Sequence, residues 1–449
     1  MSMTIQDNKL GRIGTLCVLY FSQGVPWAFV TIAFVAWLID PANDFGIDDE
    51  GAAALAVMGT LPWAFGKLFL GPMIDRYRFP SMGRRRPWIL ISQFGMLVTI
   101  AAFLLIDNPG NNLETIILFF AVHNVFAALQ DVSSDAMAVD YLPENEVAFA
   151  NGVMFVSKGV GFIFASLVLG PILINSGFEA ALTVQVAILF AIMMVPLFVL
   201  ERSTDRRFPW DSGDASSAST PSNEDVMTFG EIWSGLNTAL TNSTAKWALL
   251  LCLIMWIGGG MGTEMGIIDL QFQFIFIESV GEGNVEEYLK EVKPLILLTT
   301  MAGFFVGGYL GSRYGSHRVM TYAIVLGTTM TVLWSLARSN WSNQEFMQMA
   351  WIIYTFVWAI VGANLIAMLM SITTGDLGGT QFSIYMTLIN IGALLGTALS
   401  PVVFDAVSEN YPNLFLVGAV FQCLVIVVLL RIDMSTESLG IDSIAAESE

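Results

Sequence analysis

The chain has 449 residues, of which 55% are hydrophobic and only 13% are charged, and its mean hydropathy is +0.67. This composition excludes a soluble domain, which at this length would need a far more polar surface. The net charge of −19 lies largely in Asp40–Glu50, Glu278–Glu291 and the acidic tail, so no nucleic-acid partner is expected. Cys17, Cys252 and Cys423 lie inside apolar runs and predict neither a disulfide nor a metal site.

Apolar runs long enough to cross a hydrocarbon core, about 20 residues each, recur along nearly the whole chain. They predict an all-α membrane protein with about twelve transmembrane helices in two six-helix halves. The predicted spans are residues 12–38, 51–74, 87–106, 113–137, 148–172, 179–200, 246–277, 292–312, 318–336, 346–371, 379–402 and 412–430. The predicted domains are a first half (1–200), a flexible linker (201–245), a second half (246–432) and an acidic tail (433–449). Within the linker, residues 229–240 predict a short surface helix.

Arginine and lysine are distributed unequally between the two sides of the predicted membrane. Most of them lie on one side, whereas Lys290, Lys293 and Arg338 lie in loops on the other. Because cytoplasmic loops are enriched in these residues, we expect a multi-pass inner-membrane protein with both termini in the cytoplasm.

A glycine-bearing helix end followed by a basic turn occurs once in each predicted half. The first copy runs from Gly71 through Asp75 to Arg86, and the second from Gly307 to Arg318. Glycines allow close helix approach, and carboxylates and arginines bridge helix ends. The pattern predicts a conformational latch, although each arginine by itself is better explained by membrane topology. The predicted latch residues are Gly71, Asp75, Arg76, Arg84 and Arg85.

Four charged residues inside the first predicted half form what we call the charged layer: Lys67, Asp131, Asp135 and Lys158. At about 1.5 Å per residue, Lys67, Asp131 and Lys158 lie at similar depth. Charges inside a membrane are costly, so each is a functional candidate. We interpret the layer as a proton-coupling and gating site, in which two neighbouring carboxylates compete for lysine partners and protons. The alternative is a static ion-pair network that locks spans two, four and five together.

Polar residues elsewhere in the spans are candidates for substrate contacts. The run Gly258–Gly262 is expected to loosen span seven just before two acidic candidates. Each amide taken singly is more often a contact between helices than a contact with a ligand. The candidates are Gln23, Asn124, Gln130, Glu264, Asp269, Asn364, Gln381 and Asn390.

Motifs of enzyme chemistry are missing from the sequence. It contains no Gly-x-Ser-x-Gly, no phosphate-binding glycine loop and no cluster of metal ligands, and it has only two histidines. We therefore expect no catalytic activity, no cofactor and no bound metal. Without an ATP site, transport is expected to run on an ion gradient of protons or sodium.

The turn Gly83-Arg-Arg-Arg-Pro-Trp88 and its counterpart in the second half resemble the signature loop of the major facilitator superfamily. Phe21-Ser-Gln-Gly-Val-Pro26, Lys67 through Tyr77, and Gln130-Asp131 through Asp135 and Asp140 resemble the AmpG-type permease family, with a weaker match at Thr380-Gln-Phe382. That family imports cell-wall muropeptides with protons. Its acidic pair in span four corresponds to Asp131 and Asp135, and its basic residues to Lys67 and Lys158.

The resemblance implies a monomeric permease in the lipid bilayer that imports an N-acetylglucosamine–anhydromuramyl peptide together with protons. The chain departs from the family at Ala138, where a basic residue is usual. The Gly-Arg-Arg-Arg-Pro-Trp turn also occurs in glycoside–cation symporters. The alternatives are therefore a carrier of another glycoside or of an organic anion such as acetyl-coenzyme A, or a non-transporting membrane assembly factor on the same fold.

Overall fold

A computed structural model describes residues 4–43, 45, 55, 61–63, 65–79, 81–211, 228–260, 266–268, 274–373 and 376–434. In these residues the regular structure is helical, apart from isolated β-bridges between Thr4 and Leu200 and between Phe79 and Gly83. The predicted all-α class agrees with this architecture.

The helices up to the linker include two π-helical segments that interrupt otherwise α-helical spans. In chain order they are α1 (Lys9–Ala28), a π-helix (Phe29–Phe34), α2 (Val35–Ile39), α3 (Lys67–Arg76), α4 (Arg86–Ala102), α5 (Leu113–Tyr141), α6 (Glu144–Phe164), a second π-helix (Ala165–Leu169), α7 (Gly170–Ser176) and α8 (Phe178–Phe198). The remaining helices are α9 (Phe229–Thr241), α10 (Ser243–Ile254), α11 (Ile277–Val280), α12 (Val285–Tyr314), α13 (Ser316–Leu336), α14 (Gln344–Ser371), α15 (Gly378–Ala406) and α16 (Tyr411–Leu429).

Ten helical stretches in the described part of the chain are long and apolar enough to cross a membrane. They correspond to every predicted span except the second and the seventh, which lie partly outside the described residues. The short predicted helix of the linker is confirmed as α9.

The predicted span 246–277 is not one helix in the described residues, because α10 ends at Ile254. Residues 255–260 are turns and irregular backbone, and Gly259 has a φ of +88°. Glycine adopts this left-handed conformation without the steric cost that a side chain imposes. The described glycines of the run, Gly258–Gly260, therefore lie in non-helical backbone, as expected for a loosened part of this span.

Contacts between Cα atoms divide the chain into two compact units. Unit 1 contains residues 1–142, 157–236 and 375–384, and unit 2 contains residues 143–156, 237–374 and 385–449. In unit 1 an apolar cluster includes residues of both π-helices, where Phe34 stacks on Phe178 with ring centroids 4.9 Å apart. The predicted division into halves at residues 200 and 246 remains a prediction.

In unit 2, glycines bring α12 against α14. A Cβ atom on Gly307 would lie 2.8 Å from the Cα atom of Ile360, which is closer than side chains tolerate. The carbonyl of Gly307 also accepts a hydrogen bond of 3.0 Å from the amide of Asn364. Asn364 is wholly buried, so its role in the structure is to hold these two helices together.

Candidate functional site

Small residues set the position of the charged layer in unit 1 by allowing α1 to approach α6. A Cβ atom on Gly161 would lie 2.7 Å from the carbonyl oxygen of Phe21 and 3.1 Å from the Cα atom of Gly24. Only glycine permits this spacing, and Lys158 lies less than one turn before Gly161 on the same helix. This close crossing therefore places Lys158 near Gln23 of α1.

Lys67 and Asp131 form a direct ion pair between α3 and α5. Their side chains are 1% and 4% exposed, so the pair is shielded from water. Asp135 lies one turn further along α5 and accepts a hydrogen bond of 2.5 Å from the hydroxyl of Tyr20. Each carboxylate of the layer thus has its own partner, a lysine for Asp131 and a phenol for Asp135.

Trp63 connects the two lysines of the charged layer. The ammonium nitrogen of Lys67 lies 3.7 Å from the centroid of the Trp63 ring, and that of Lys158 lies 5.0 Å from it. An aromatic ring stabilises a nearby cation through its quadrupole. Lys158 forms no ion pair with any carboxylate that the structure describes. The four charged residues that the sequence singled out therefore meet around Trp63 and Tyr20.

A cavity of about 180 Å³ adjoins the charged layer and is called here the Gln23 cavity. Its lining combines aromatic rings with a few polar groups, the usual composition of a small-molecule site. It includes three residues predicted from the sequence as functional, Gln23, Asn124 and Lys158. The full lining is Gln23, Pro26, Trp27, Trp63, His123, Asn124, Ala127, Lys158 and Phe162.

Two lining residues present polar atoms without partners. Both side-chain amide atoms of Gln23 and the Nε2 atom of His123 are buried and have no hydrogen-bond partner among the described residues. The other ring nitrogen of His123 lies 2.9 Å from the hydroxyl of Thr99, which orients the imidazole. Buried polar groups are normally satisfied, so these atoms are available to hydrogen-bond a ligand or water in the cavity.

Gln130 lies outside the lining of this cavity. Its amide donates to the carbonyl of Leu19 at 2.7 Å and to the hydroxyl of Ser22 at 3.0 Å. Gln93 donates to the same hydroxyl at 2.9 Å. Gln130 thus joins α5 to α1 beside the site. A substrate contact for it remains a prediction.

The other candidates are dispersed. Gln381 is buried near the start of α15 in unit 1, and Asn390 is half-buried further along that helix in unit 2. Glu264 and Asp269 lie outside the described residues. No group of three or more histidine, cysteine, aspartate or glutamate side chains capable of holding a metal occurs in the part of the chain that is described.

The predicted latch residues contribute to a second polar site, called here the Asp75 cluster, which consists of Asp75, Arg84, Arg85, Asp140 and Thr380. Asp75 is fully buried at the end of α3 and accepts hydrogen bonds of 2.7 Å from both the backbone N–H and the hydroxyl of Thr380. A Cβ atom on Gly71, one turn earlier, would lie 3.0 Å from the Cα atom of Thr380. Glycine at this position therefore lets the start of α15 reach Asp75.

Arg85 is the central cation of the Asp75 cluster. Its guanidinium donates to Asp75 at 2.6 Å and to Asp140 at 2.7 Å, and the side chain is fully buried. Burial opposes its charge, but Asp140 and Asp75 outweigh this effect and raise the pKa of Arg85 above the ordinary arginine value. Arg84 extends the cluster by donating to the backbone carbonyl of Asp376. The cluster thus joins α3, α5 and the beginning of α15.

Arg76 lies apart from these contacts. Its guanidinium lies over the ring of Phe229 at 4.3 Å, so the linker helix α9 packs on the end of α3. Four of the five predicted latch residues thus take part in or lie against the Asp75 cluster, whereas Arg76 contacts the linker helix.

Sequence reasoning missed Tyr20, Thr380 and Glu201. Glu201 is fully buried and accepts the backbone N–H groups of Arg84 at 2.8 Å and Arg85 at 2.7 Å, as well as that of Arg86. It thereby caps the amino-terminal end of α4. Thr380 belongs to the weak family match in span eleven, and that match was the one feature of the sequence that could have pointed to it. Tyr20 and Glu201 carry no local pattern that distinguishes them.

Comparisons with known proteins agree with this architecture. Residues 16–397 match the profile of the Major Facilitator Superfamily. The anhydromuropeptide permease of Escherichia coli K12 is 24% identical over 430 residues, which covers 94% of this chain and 80% of that protein.

Two solved structures have a similar fold. The Escherichia coli fucose:proton symporter has a TM-score of 0.67 at 14% identity and covers 94% of this chain and 98% of its own. A bacterial homologue of the iron transporter ferroportin, in its outward-facing state, has a TM-score of 0.67 at 13% identity, with 94% and 99% covered. The sequence match spans most of the chain, and the fold is shared, so this multi-pass membrane protein belongs to the major facilitator superfamily of transporters.

Proposed function

We propose that the protein is a proton-coupled symporter that moves a cell-wall muropeptide, or a similar sugar conjugate, into the cytoplasm. The observation that carries the proposal is the buried Lys67–Asp131 ion pair, with Asp135 bonded to Tyr20 one turn away and the Gln23 cavity beside them. The name of the related Escherichia coli permease supports the substrate class. The similarity in fold to a fucose:proton symporter is consistent with this class.

Coupling follows from the charges of the layer. Two lysines and two carboxylates sum to zero, which suits a site surrounded by lipid and protein. If both carboxylates are ionised, they repel each other across one helical turn, and a proton on either relieves that repulsion. A proton on Asp131 removes the negative charge with which Lys67 pairs and so releases Lys67. Proton binding and substrate binding therefore act on the same group of side chains.

The Asp75 cluster supplies the conformational part of the proposal. It joins the end of α3 to the start of α15 through hydrogen bonds that are buried in unit 1. We propose that these contacts hold the predicted cytoplasmic side closed and break when that side opens. We propose that both termini lie on that side, as the distribution of arginine and lysine in the sequence predicts.

Uptake into proteoliposomes tests the proposal. The measurement uses labelled N-acetylglucosamine–anhydromuramyl peptide with an inward proton gradient, with an inward sodium gradient at equal pH, and with neither. We expect accumulation under the proton gradient alone, and its loss in the Asp131→Asn variant. The matched control is Asp107→Asn, since Asp107 is exposed and far along the chain from the layer.

Equal uptake with and without the gradient contradicts proton coupling. Accumulation of a different glycoside or of an organic anion, without the muropeptide, supports the alternative carriers. A non-transporting assembly factor is indicated if no solute moves and crosslinking captures a stable membrane-protein partner.

A further inference from the structure

The Gln23 cavity carries an inference about the ligand, and it rests on the proposed transport function. We propose that Lys158 binds a negatively charged group of the substrate, so that the cavity takes a carboxylate-bearing ligand of about the size of a sugar ring. Lys158 is then a specificity residue, distinct in role from Lys67.

The two lysines of the charged layer have different surroundings. Lys67 is bonded to Asp131 and does not contribute to the cavity lining. Lys158 contributes to the lining and has the Trp63 ring as its neighbour, with no ion pair to a carboxylate of the described chain. A cation in this setting keeps the capacity to pair with an incoming anion.

The remaining polar groups of the wall suit hydrogen bonds to a sugar acid. Gln23 presents an amide donor and an amide acceptor, and neither has a partner among the residues described. The Nε2 atom of His123 is buried and likewise unsatisfied within that part of the chain. These groups complement hydroxyl and acetamide groups, which both donate and accept hydrogen bonds.

The charge of the side chains that line the cavity determines which ligand charge it favours. The lining contains one lysine and no acidic residue, so a cationic ligand would meet repulsion from Lys158 and no acidic side chain in the cavity wall. A neutral ligand would exclude water from the ammonium group of Lys158 without providing a counter-charge, and burial of an unpaired charge costs free energy. An anion satisfies Lys158, and it also balances the charge of a proton taken up by the neighbouring carboxylates.

The size of the cavity limits what enters it. Its volume of about 180 Å³ is more than ten times the roughly 10–15 Å³ that a single bound water needs. Trp27 and Phe162 form apolar walls against which the face of a sugar ring packs. The cavity therefore accommodates one sugar ring and one carboxylate, which in a muropeptide belongs to the peptide because the lactyl carboxyl is in an amide bond. The remainder of the conjugate would lie outside it.

Calorimetric titration of the purified protein with two matched probes tests the inference. N-acetylmuramic acid and N-acetylglucosamine share the ring and the acetamide, and the acid adds a lactyl carboxylate. We expect the acid to bind about tenfold more tightly, the effect of one charge-assisted contact. In Lys158→Gln this preference disappears, whereas the control Lys246→Gln, at an exposed lysine, keeps it.

A second variant separates binding from folding. Gln23→Ala removes hydrogen bonds common to both probes, so it should weaken both by a similar factor and leave the preference for the acid intact. A wild-type protein that binds the acid no better than the neutral sugar overturns the inference. So does a folded Lys158→Gln variant that retains the preference.

These outcomes are distinguishable from those of the uptake experiment. Preference for the acid through Lys158, without gradient-driven uptake, contradicts the transport proposal and leaves the assignment of Lys158 in place. Gradient-driven uptake in a protein whose binding is unaffected by Lys158→Gln contradicts only the assignment of Lys158.

Discussion

Lys67 and Asp131 are separated by 64 positions in the chain and form an ion pair whose side chains are 1% and 4% exposed. Such a pair is stable only while both partners are present, because removal of one leaves the other as an uncompensated buried charge. The pair therefore links the stability of unit 1 to the chemistry proposed for the charged layer.

The first prediction concerns this pair. Lys67→Ala and Asp131→Asn should abolish gradient-driven uptake and leave folded protein in the membrane. Lys67→Ala should lower the free energy of unfolding by about 3 kcal/mol, since it leaves the buried carboxylate of Asp131 without its counter-charge. Replacement of both residues together, Lys67→Met with Asp131→Leu, should recover most of this stability and none of the uptake.

Denaturation in detergent and uptake in proteoliposomes measure the two effects separately. Full uptake in both single variants would contradict the proton-coupling assignment. Loss of folding in both, with recovery of uptake in the double variant, would favour the static ion-pair network instead.

The second prediction concerns Asp75 and Thr380. The backbone N–H of Thr380 donates to a fully buried carboxylate at 2.7 Å, so its exchange with solvent requires that contact to open. Asp75→Ala should raise the exchange rate of this amide by about tenfold or more, as expected when roughly 1.4 kcal/mol of protection is lost. Hydrogen–deuterium exchange on a peptide that covers the start of α15 measures it.

The exposed Asp107→Ala variant provides the control for that experiment. Unchanged exchange at Thr380 in Asp75→Ala would show that the Asp75 cluster does not hold the start of α15.

The third prediction concerns Glu201 as a helix cap. Glu201→Ala leaves the N–H groups of Arg84, Arg85 and Arg86 without their acceptor, together with the hydroxyl of Tyr141, which donates to Glu201 at 2.9 Å. We expect a loss of about 2 kcal/mol in the free energy of unfolding, from the cap and the buried polar groups combined. Chemical denaturation measures it.

Glu179 is an acidic residue in the first turn of α8 and is exposed, which makes Glu179→Ala the matched control. Equal stability of the two variants would show that the cap contributes little.

The fourth prediction compares two glycines in helices. A Cβ atom on Gly152 would lie 3.0 Å from the Cα atom of Gly308 and 2.6 Å from the carbonyl oxygen of Phe304, whereas one on Gly14 would have no neighbour within 4 Å. Gly152→Ala should therefore destabilise the protein by at least about 1 kcal/mol through a backbone clash. Gly14→Ala should stabilise it by about 0.5 kcal/mol, because alanine reduces the entropy of the unfolded chain.

Thermal unfolding of both variants in the same detergent gives the comparison. A Gly152→Ala variant that is as stable as Gly14→Ala would show that α6 and α12 have room to separate at this crossing.

Several features of the site were accessible from the sequence. Lys67, Asp131 and Lys158 were assigned to one depth by counting residues, and the structure brings the first two into contact and places Lys158 near the same tryptophan. The glycine run predicted a loosened span seven, and α10 ends at Ile254, a few residues before that run. The contacts of Tyr20 with Asp135 and of Glu201 with the start of α4 could not be predicted, since neither residue stands in a sequence pattern that distinguishes it.

The sequence by itself determined the class of the protein and the course of its spans. A membrane helix must satisfy its own backbone hydrogen bonds and present apolar side chains to lipid, so each span is marked locally by length and composition. Only the tertiary structure decided which polar groups meet. Asp75 and Thr380 are 305 positions apart, and their contact depends on the rotation and spacing of helices, which glycines at crossings permit but no local pattern specifies.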